Sequence, residues 1–167
     1  SYALEPKPLT CKITPNSIAN IKLGNRLNQI KTIYPTSKLT RSTDGDGVAL
    51  VSLKVGGQNL AVFYAGEADP NSAVNLSKKI TFIETFNPRC QSTLGIHAGM
   101  LVENAAKLLG GIDEITLSEI ESRQYVSFKK QPNHFLYRID YCGEFKNDER
   151  VTKKYQLGCK IFSIAIS

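Results

Sequence analysis

Ser17-Ile18-Ala19-Asn20-Ile21-Lys22-Leu23-Gly24 falls on Ser92-Thr93-Leu94-Gly95-Ile96-His97-Ala98-Gly99 when the chain is shifted by 75 positions, so that Ser17/Ser92, Ile21/Ile96 and Gly24/Gly99 coincide. Self-similarity at a fixed spacing is the first sign of repeated architecture. The same shift lays Val51-Ser52-Leu53-Lys54 on Val126-Ser127-Phe128-Lys129. Two positions more lay Tyr64-Ala65-Gly66-Glu67 on Tyr141-Cys142-Gly143-Glu144. Three blocks in the same order predict two copies of one unit, 12–87 and 88–167, behind a lead-in over 1–11.

Each copy opens on a short helical pattern. Leu27, Ile30, Ile33 and Tyr34 in the first, and Val102, Ala105, Ala106, Leu108 and Leu109 in the second, recur at three- and four-residue spacing, as one apolar stripe of a helix does. Pro35 and the Gly110-Gly111 pair stop these helices. Strand signals follow at 38–42, 48–55, 60–65 and 79–86, and again at 114–122, 124–130, 135–142 and 159–166, with Gly-rich turns between several of them. The expected fold is therefore α+β: two tandem units, each a short helix on a four-stranded antiparallel meander, with one sheet face covered and the other open.

Alternation refines the faces. Phe135, Tyr137, Ile139 and Tyr141 point one way, and Leu136, Arg138, Asp140 and Cys142 the other. In the last strand Phe162, Ile164 and Ile166 form the apolar set, which leaves Cys159, Ile161 and Ser163 opposite. Cys142 and Cys159 then share a face, as a cross-strand disulfide needs, and such a loop contributes about 3 kcal/mol on the chain-entropy account. By elimination Cys11 pairs with Cys90, although sequence alone does not fix connectivity.

With 167 residues, 41% of them hydrophobic, the chain can bury one sizeable core. No apolar run reaches the length of a membrane span. Four cysteines without C-x-x-C spacing and only two histidines offer no zinc or thioredoxin-like site, and no metal or cofactor is expected. An even cysteine count points to an oxidising compartment, periplasmic or extracellular. No signal peptide precedes Ser1, which suggests a mature or trimmed chain, and a lipid anchor would require a cysteine lost in trimming.

The net charge is +6, and eleven of the 21 Lys and Arg against six of the 15 Asp and Glu lie within residues 1–90. The longest basic runs are Lys78 with Lys79, Lys129 with Lys130, and Lys153 with Lys154, with no interleaved aromatics, which argues against nucleic acid.

The repeated unit, with its Ile-x-x-Gly lead into a short helix and then a meander, resembles the helix-on-sheet module of the β-lactamase inhibitory protein family. The stretches Lys79-Ile80-Thr81-Phe82-Ile83, Gly95-Ile96-His97-Ala98-Gly99 and Ile139-Asp140-Tyr141-Cys142-Gly143-Glu144 also resemble a family of uncharacterised bacterial envelope lipoproteins. These resemblances imply an exported bacterial protein whose open sheet face grips a partner protein in the envelope or outside the cell.

Candidate sites follow from the faces. Glu121, Arg123, Tyr125, Lys129, Arg138 and Asp140 would lie together on the open face if the second meander pairs in order, and Arg and Tyr are favoured interface anchors. Lys22 and His97, equivalent in the two copies, stand just before the helices, where backbone N–H groups favour an anion, which supplies the alternative reading of a small-ligand or anion-binding protein. Asp44-Gly45-Asp46-Gly47 reads as a hairpin turn, since a calcium loop would need a glutamate where Val55 stands. No Ser-His-Asp pattern or nucleophile elbow occurs, so the expected activity is binding without catalysis. The segment 144–156, charged and without apolar period, reads as a mobile insertion.

Overall fold

The computed structural model describes residues 10–67, 69–119 and 122–167. In chain order the first strands are β1 (Cys11–Thr14), β2 (Ser17–Ile18) and β3 (Ile21–Lys22), followed by a 3₁₀ turn (Leu27–Gln29) running into α1 (Ile30–Ile33). Next come β4 (Lys38–Thr43), β5 (Ala49–Val55), β6 (Gln58–Tyr64), β7 (Phe82–Thr85), β8 (Cys90–Gln91) and α2 (Val102–Leu108). The chain closes with β9 (Ile112–Leu117), β10 (Gln124–Phe128), β11 (Phe135–Ile139), β12 (Val151–Thr152) and β13 (Ile161–Ile166).

The expected pair of helix-on-sheet units does not form. Two meanders are present, but β7 and β13 pair antiparallel, and all these strands join one nine-stranded sheet in the order β12-β9-β10-β11-β13-β7-β6-β5-β4. A free β7 or β13 edge would leave a row of unpaired backbone groups, and the pairing removes both. The helices are too small for the role assigned to them. Seven residues make a helix of about 10 Å, whereas nine strands spaced about 4.8 Å apart span nearly 40 Å.

A second sheet supplies the missing cover. Its strand order is β3-β2-β1-β8, and its isoleucines Ile13, Ile18 and Ile21 are all fully buried. Ala19 and Asn20, both with left-handed φ, make the two-residue turn between β2 and β3, the conformation that such tight hairpins require at both central positions. Together with Leu27 and Ile30 these residues pack into one apolar cluster with Val51, Leu53, Phe63, Ile83, Tyr137 and Ile164 of the large sheet. The protein is thus a mainly β structure of two sheets, with its core on one face of the larger.

The segments around Gly24 and Gly99 meet the chain at the start of β7 and β13 through matching hydrogen bonds. Gly24 N–H donates to the Ile80 carbonyl (2.8 Å), Ile80 N–H to Asn25 (2.8 Å) and Leu27 N–H to Lys78 (3.0 Å). Correspondingly, Gly99 N–H donates to Ile161 (2.7 Å), Ile161 N–H to Met100 (2.9 Å) and Val102 N–H to Cys159 (2.9 Å). Gly24 and Gly99 hold φ of 87° and 89°, where a side chain would be strained.

Two local expectations are corrected. The segment 144–156 is not a free insertion: it contributes β12, which pairs with β9 and forms one edge of the sheet. The alternation along β13 is broken by a bulge, because Arg138 lies opposite Ser163 and Ile139 opposite Ile161. Phe162 has no opposite residue and turns out of the core, 42% exposed, while Ile161 is buried.

Candidate functional site

The face of the large sheet away from the core carries a row of cross-strand neighbours: Ser52 opposite Val62, Val62 opposite Glu84, Glu84 opposite Ala165, and Ala165 opposite Leu136. The row crosses five strands. Beside it Tyr125 lies opposite Arg138, and Arg138 opposite Ser163.

This face is concave. Arg123, just before β10, donates from Nη2 to the carbonyl of Asp44 (2.9 Å) and lies 3.8 Å from the Asp44 carboxylate and 3.5 Å from that of Asp46. Those aspartates stand in the loop between β4 and β5, while four strands separate β5 from β10. The loops can meet only because the sheet, with the right-handed twist of its strands, curls around its open face. Asp44 is fixed for this contact by its own turn, since its Oδ1 accepts the N–H groups of Asp46 (2.9 Å) and Val48 (3.1 Å).

Linked cavities lie along the trough. One of about 480 Å³ is walled by Val48, Leu50, Tyr64, Phe82 and Leu136 and floored by Glu84. A second of about 330 Å³ shares Glu84, Leu50 and Arg123 with it and extends to Arg138 and Phe162. A third of about 570 Å³ continues past Ser52, Val62 and Phe86. Along the second cavity, the rings of Phe86 and Phe162 pack edge to face at 5.3 Å, and the Arg138 guanidinium sits 4.8 Å from the Phe162 centroid. Arg138 makes no ion pair with any described residue.

Glu84 is 8% exposed, and its Oε2 accepts a 2.6 Å hydrogen bond from the Ser163 hydroxyl. Burial pushes its carboxyl above the ordinary value, against the opposing pull of the Ser163 bond and of Arg138 and Arg123, while Asp44 adds to the rise. The folded protein therefore holds this proton to a higher pH than the unfolded chain does. Stability drawn from the group is present at low pH and lost as pH rises from the ordinary carboxyl range through the raised value. Glu84→Gln, which keeps an acceptor for Ser163, should match the parent protein in thermal unfolding at acidic pH and melt higher at neutral pH. A parent protein that melts higher than the variant at neutral pH would contradict this account.

Of the residues singled out from sequence, Arg123, Tyr125 and Arg138 are brought together on the trough. Lys129 lies at the other end of β10 from Arg123, in a turn where its N–H donates to Gly111 (3.0 Å). Asp140 follows β11 and lines a neighbouring hollow with Lys160 and Phe162. Glu121 lies outside the described residues. Lys22, on β3, is at one edge of the small sheet, and His97 bridges to Gln91 of β8 at the opposite edge. His97 Nδ1 is 2.8 Å from the carbonyl oxygen of its neighbour Ala98. These two positions are not brought together, and α2, seven residues long, is short for an anion-binding terminus. The disulfides are Cys11–Cys90 and Cys142–Cys159, with Cα separations of 4.4 and 5.5 Å.

Sequence reasoning does not single out Glu84, Ser163, Phe86 or Phe162 as site residues. The sequence does hold a signal for the first: in Phe82-Ile83-Glu84-Thr85-Phe86 a carboxylate alternates with two aromatics on one face of a strand. Nothing local announces Phe162, whose exposure depends on the bulge.

Two disulfides fit an oxidising compartment, and among the described residues no helix is long and apolar enough to cross a membrane. No protein-family model matches the chain, and no curated protein matches it. The crystal structure of the uncharacterized protein YfeY from Escherichia coli is similar, with a TM-score of 0.59 and 12% identity over 93% of this chain and 98% of that one. At that identity the likeness is one of fold.

Proposed function

We propose that this is an exported bacterial envelope protein, periplasmic or secreted, which binds another protein in the concave face of its large sheet and catalyses no reaction. The observation that carries this reading is the stack of Arg138, Phe162 and Phe86, with both rings about two-fifths exposed along the second cavity. Exposed aromatics beside an arginine are the composition of interface hot spots, because large rings bury much area at little entropic cost.

The shape of the trough favours a polypeptide over a small molecule. The row from Ser52 to Leu136 crosses four interstrand spacings, about 19 Å, which is the length of an extended segment of about six residues. Val48 and Leu136, each 40% exposed, add apolar surface along it. Nucleic acid is not the expected partner, since the two trough arginines stand among Asp44, Asp46 and Glu84 rather than in a basic stripe.

A photo-crosslinking amino acid placed at Leu136, on the trough, and at Leu157, 96% exposed on the loop closed by Cys142–Cys159, separates the trough from the rest of the surface. In envelope extract of the producing bacterium, one stoichiometric protein should be captured from position 136 and not from 157. Equal capture from both, or capture from 157 alone, would contradict the assignment.

A further inference from the structure

We propose that the cavity floored by Glu84 is a socket for a primary ammonium group on an alkyl stem, supplied by a lysine side chain of the partner protein. This rests on the protein-binding reading above and names the chemistry of its central contact.

The acceptor is in place. Glu84 is more than nine-tenths buried, its Oε2 is held by Ser163, and no described residue donates to Oε1. No side-chain oxygen that is sealed from solvent lacks a partner among the described residues, so Oε1 opens onto the joined space of the two cavities that Glu84 lines. A carboxylate withdrawn from water, with one oxygen left open, gains most from a cation that brings its own donors.

The cavity fits the stem as well as the head. Val48, Leu50, Phe82 and Leu136 form apolar walls that suit a run of methylenes, and Tyr64 offers a ring face. The charge of Arg123 at the mouth is offset by Asp44 and Asp46. Arg138 lines the adjoining cavity, which Glu84 also lines, and its charge reaches Glu84 from that side. A carboxylate ligand would face Glu84, and a calcium ion would want six or more oxygens where the walls are mostly carbon.

Binding of an ammonium needs Glu84 ionised. The groups facing it are Ser163 from β13, Arg138 from β11, Arg123 and Asp44 from the loops, and Tyr64 and Tyr125 along the walls. An alkylammonium stays charged across the acidic and neutral range, so affinity should rise with pH as Glu84 loses its proton.

The test is an NMR titration of the full chain with n-pentylammonium, n-pentanoate and n-pentanol, each against the parent protein and Glu84→Gln. The expected result is that pentylammonium shifts resonances of β7 and β13, binds at least ten-fold more weakly to Glu84→Gln, and weakens on acidification. Pentanoate binding more tightly than pentylammonium, or equal pentylammonium binding by the variant, would overturn the socket. The partner captured at position 136 supplies the second arm: blocking its lysines by acetylation should weaken binding at least ten-fold. Unchanged binding overturns the lysine even where pentylammonium binds, while leaving the protein-binding reading intact. Failure to capture any partner overturns that reading instead, and the lysine source with it.

Discussion

Replacing Cys11 and Cys90 together by alanine lowers the unfolding free energy by about 4–5 kcal/mol, measured by urea denaturation of the non-reduced protein. The bridge spans 79 positions, and closing a loop of that size removes about this much chain entropy from the unfolded state. The native side adds to the effect. Cys11 and Cys90 face each other in the parallel pair of β1 and β8, and that register has only one further position, Lys12 opposite Gln91. Both cysteines are buried, and β1 carries Ile13 into the core. Freeing β8 from β1 therefore loosens the sheet that covers the large one. The shorter loop of Cys142–Cys159, 17 positions, should cost about 3 kcal/mol when removed. A loss below about 1 kcal/mol for the longer bridge would mean that the small sheet holds without it.

The sequence was most informative where the backbone makes a local demand. Gly24 and Gly99 correspond in the sequence because each occupies a left-handed conformation three residues after a buried isoleucine, Ile21 or Ile96, and few residue types meet that pair of requirements. Most strand positions were legible for the same reason: alternation in 135–139 maps directly onto burial, with Phe135, Tyr137 and Ile139 inside and Leu136 and Arg138 outside. Helix spacing was legible too, but spacing says nothing of whether a helix is long enough to cover a sheet.

What the sequence concealed is non-local. The junction of β7 with β13 joins Glu84 to Ala165, and no pattern around either residue says which strand will lie beside it. The contact of Arg123 with Asp44 spans 79 positions and exists because the sheet curls. Strand parity points Phe162 into the core, and one bulged residue reverses it. The trough depends on all three events, so the sequence discloses Arg123, Tyr125 and Arg138 as open-face residues but not the setting that gives Glu84 and the aromatic pair their place.

Truncation of the exposed Phe162 ring on the trough should have the largest functional effect of any single change. Phe162 contacts Phe86 on one side and the Arg138 guanidinium on the other, so Phe162→Ala removes a ring and leaves both neighbours without their packing partner. Central aromatic anchors of this kind cost about 2 kcal/mol or more on truncation, roughly thirty-fold in affinity. The cost to the fold is small by comparison, because the ring is already two-fifths exposed. Affinity of the captured partner for Phe162→Ala, measured by calorimetry beside Leu157→Ala, is the most direct test of the trough as the binding face. A loss of thirty-fold or more for Phe162→Ala, with Leu157→Ala unchanged, is the predicted result. Unchanged affinity for Phe162→Ala would contradict it.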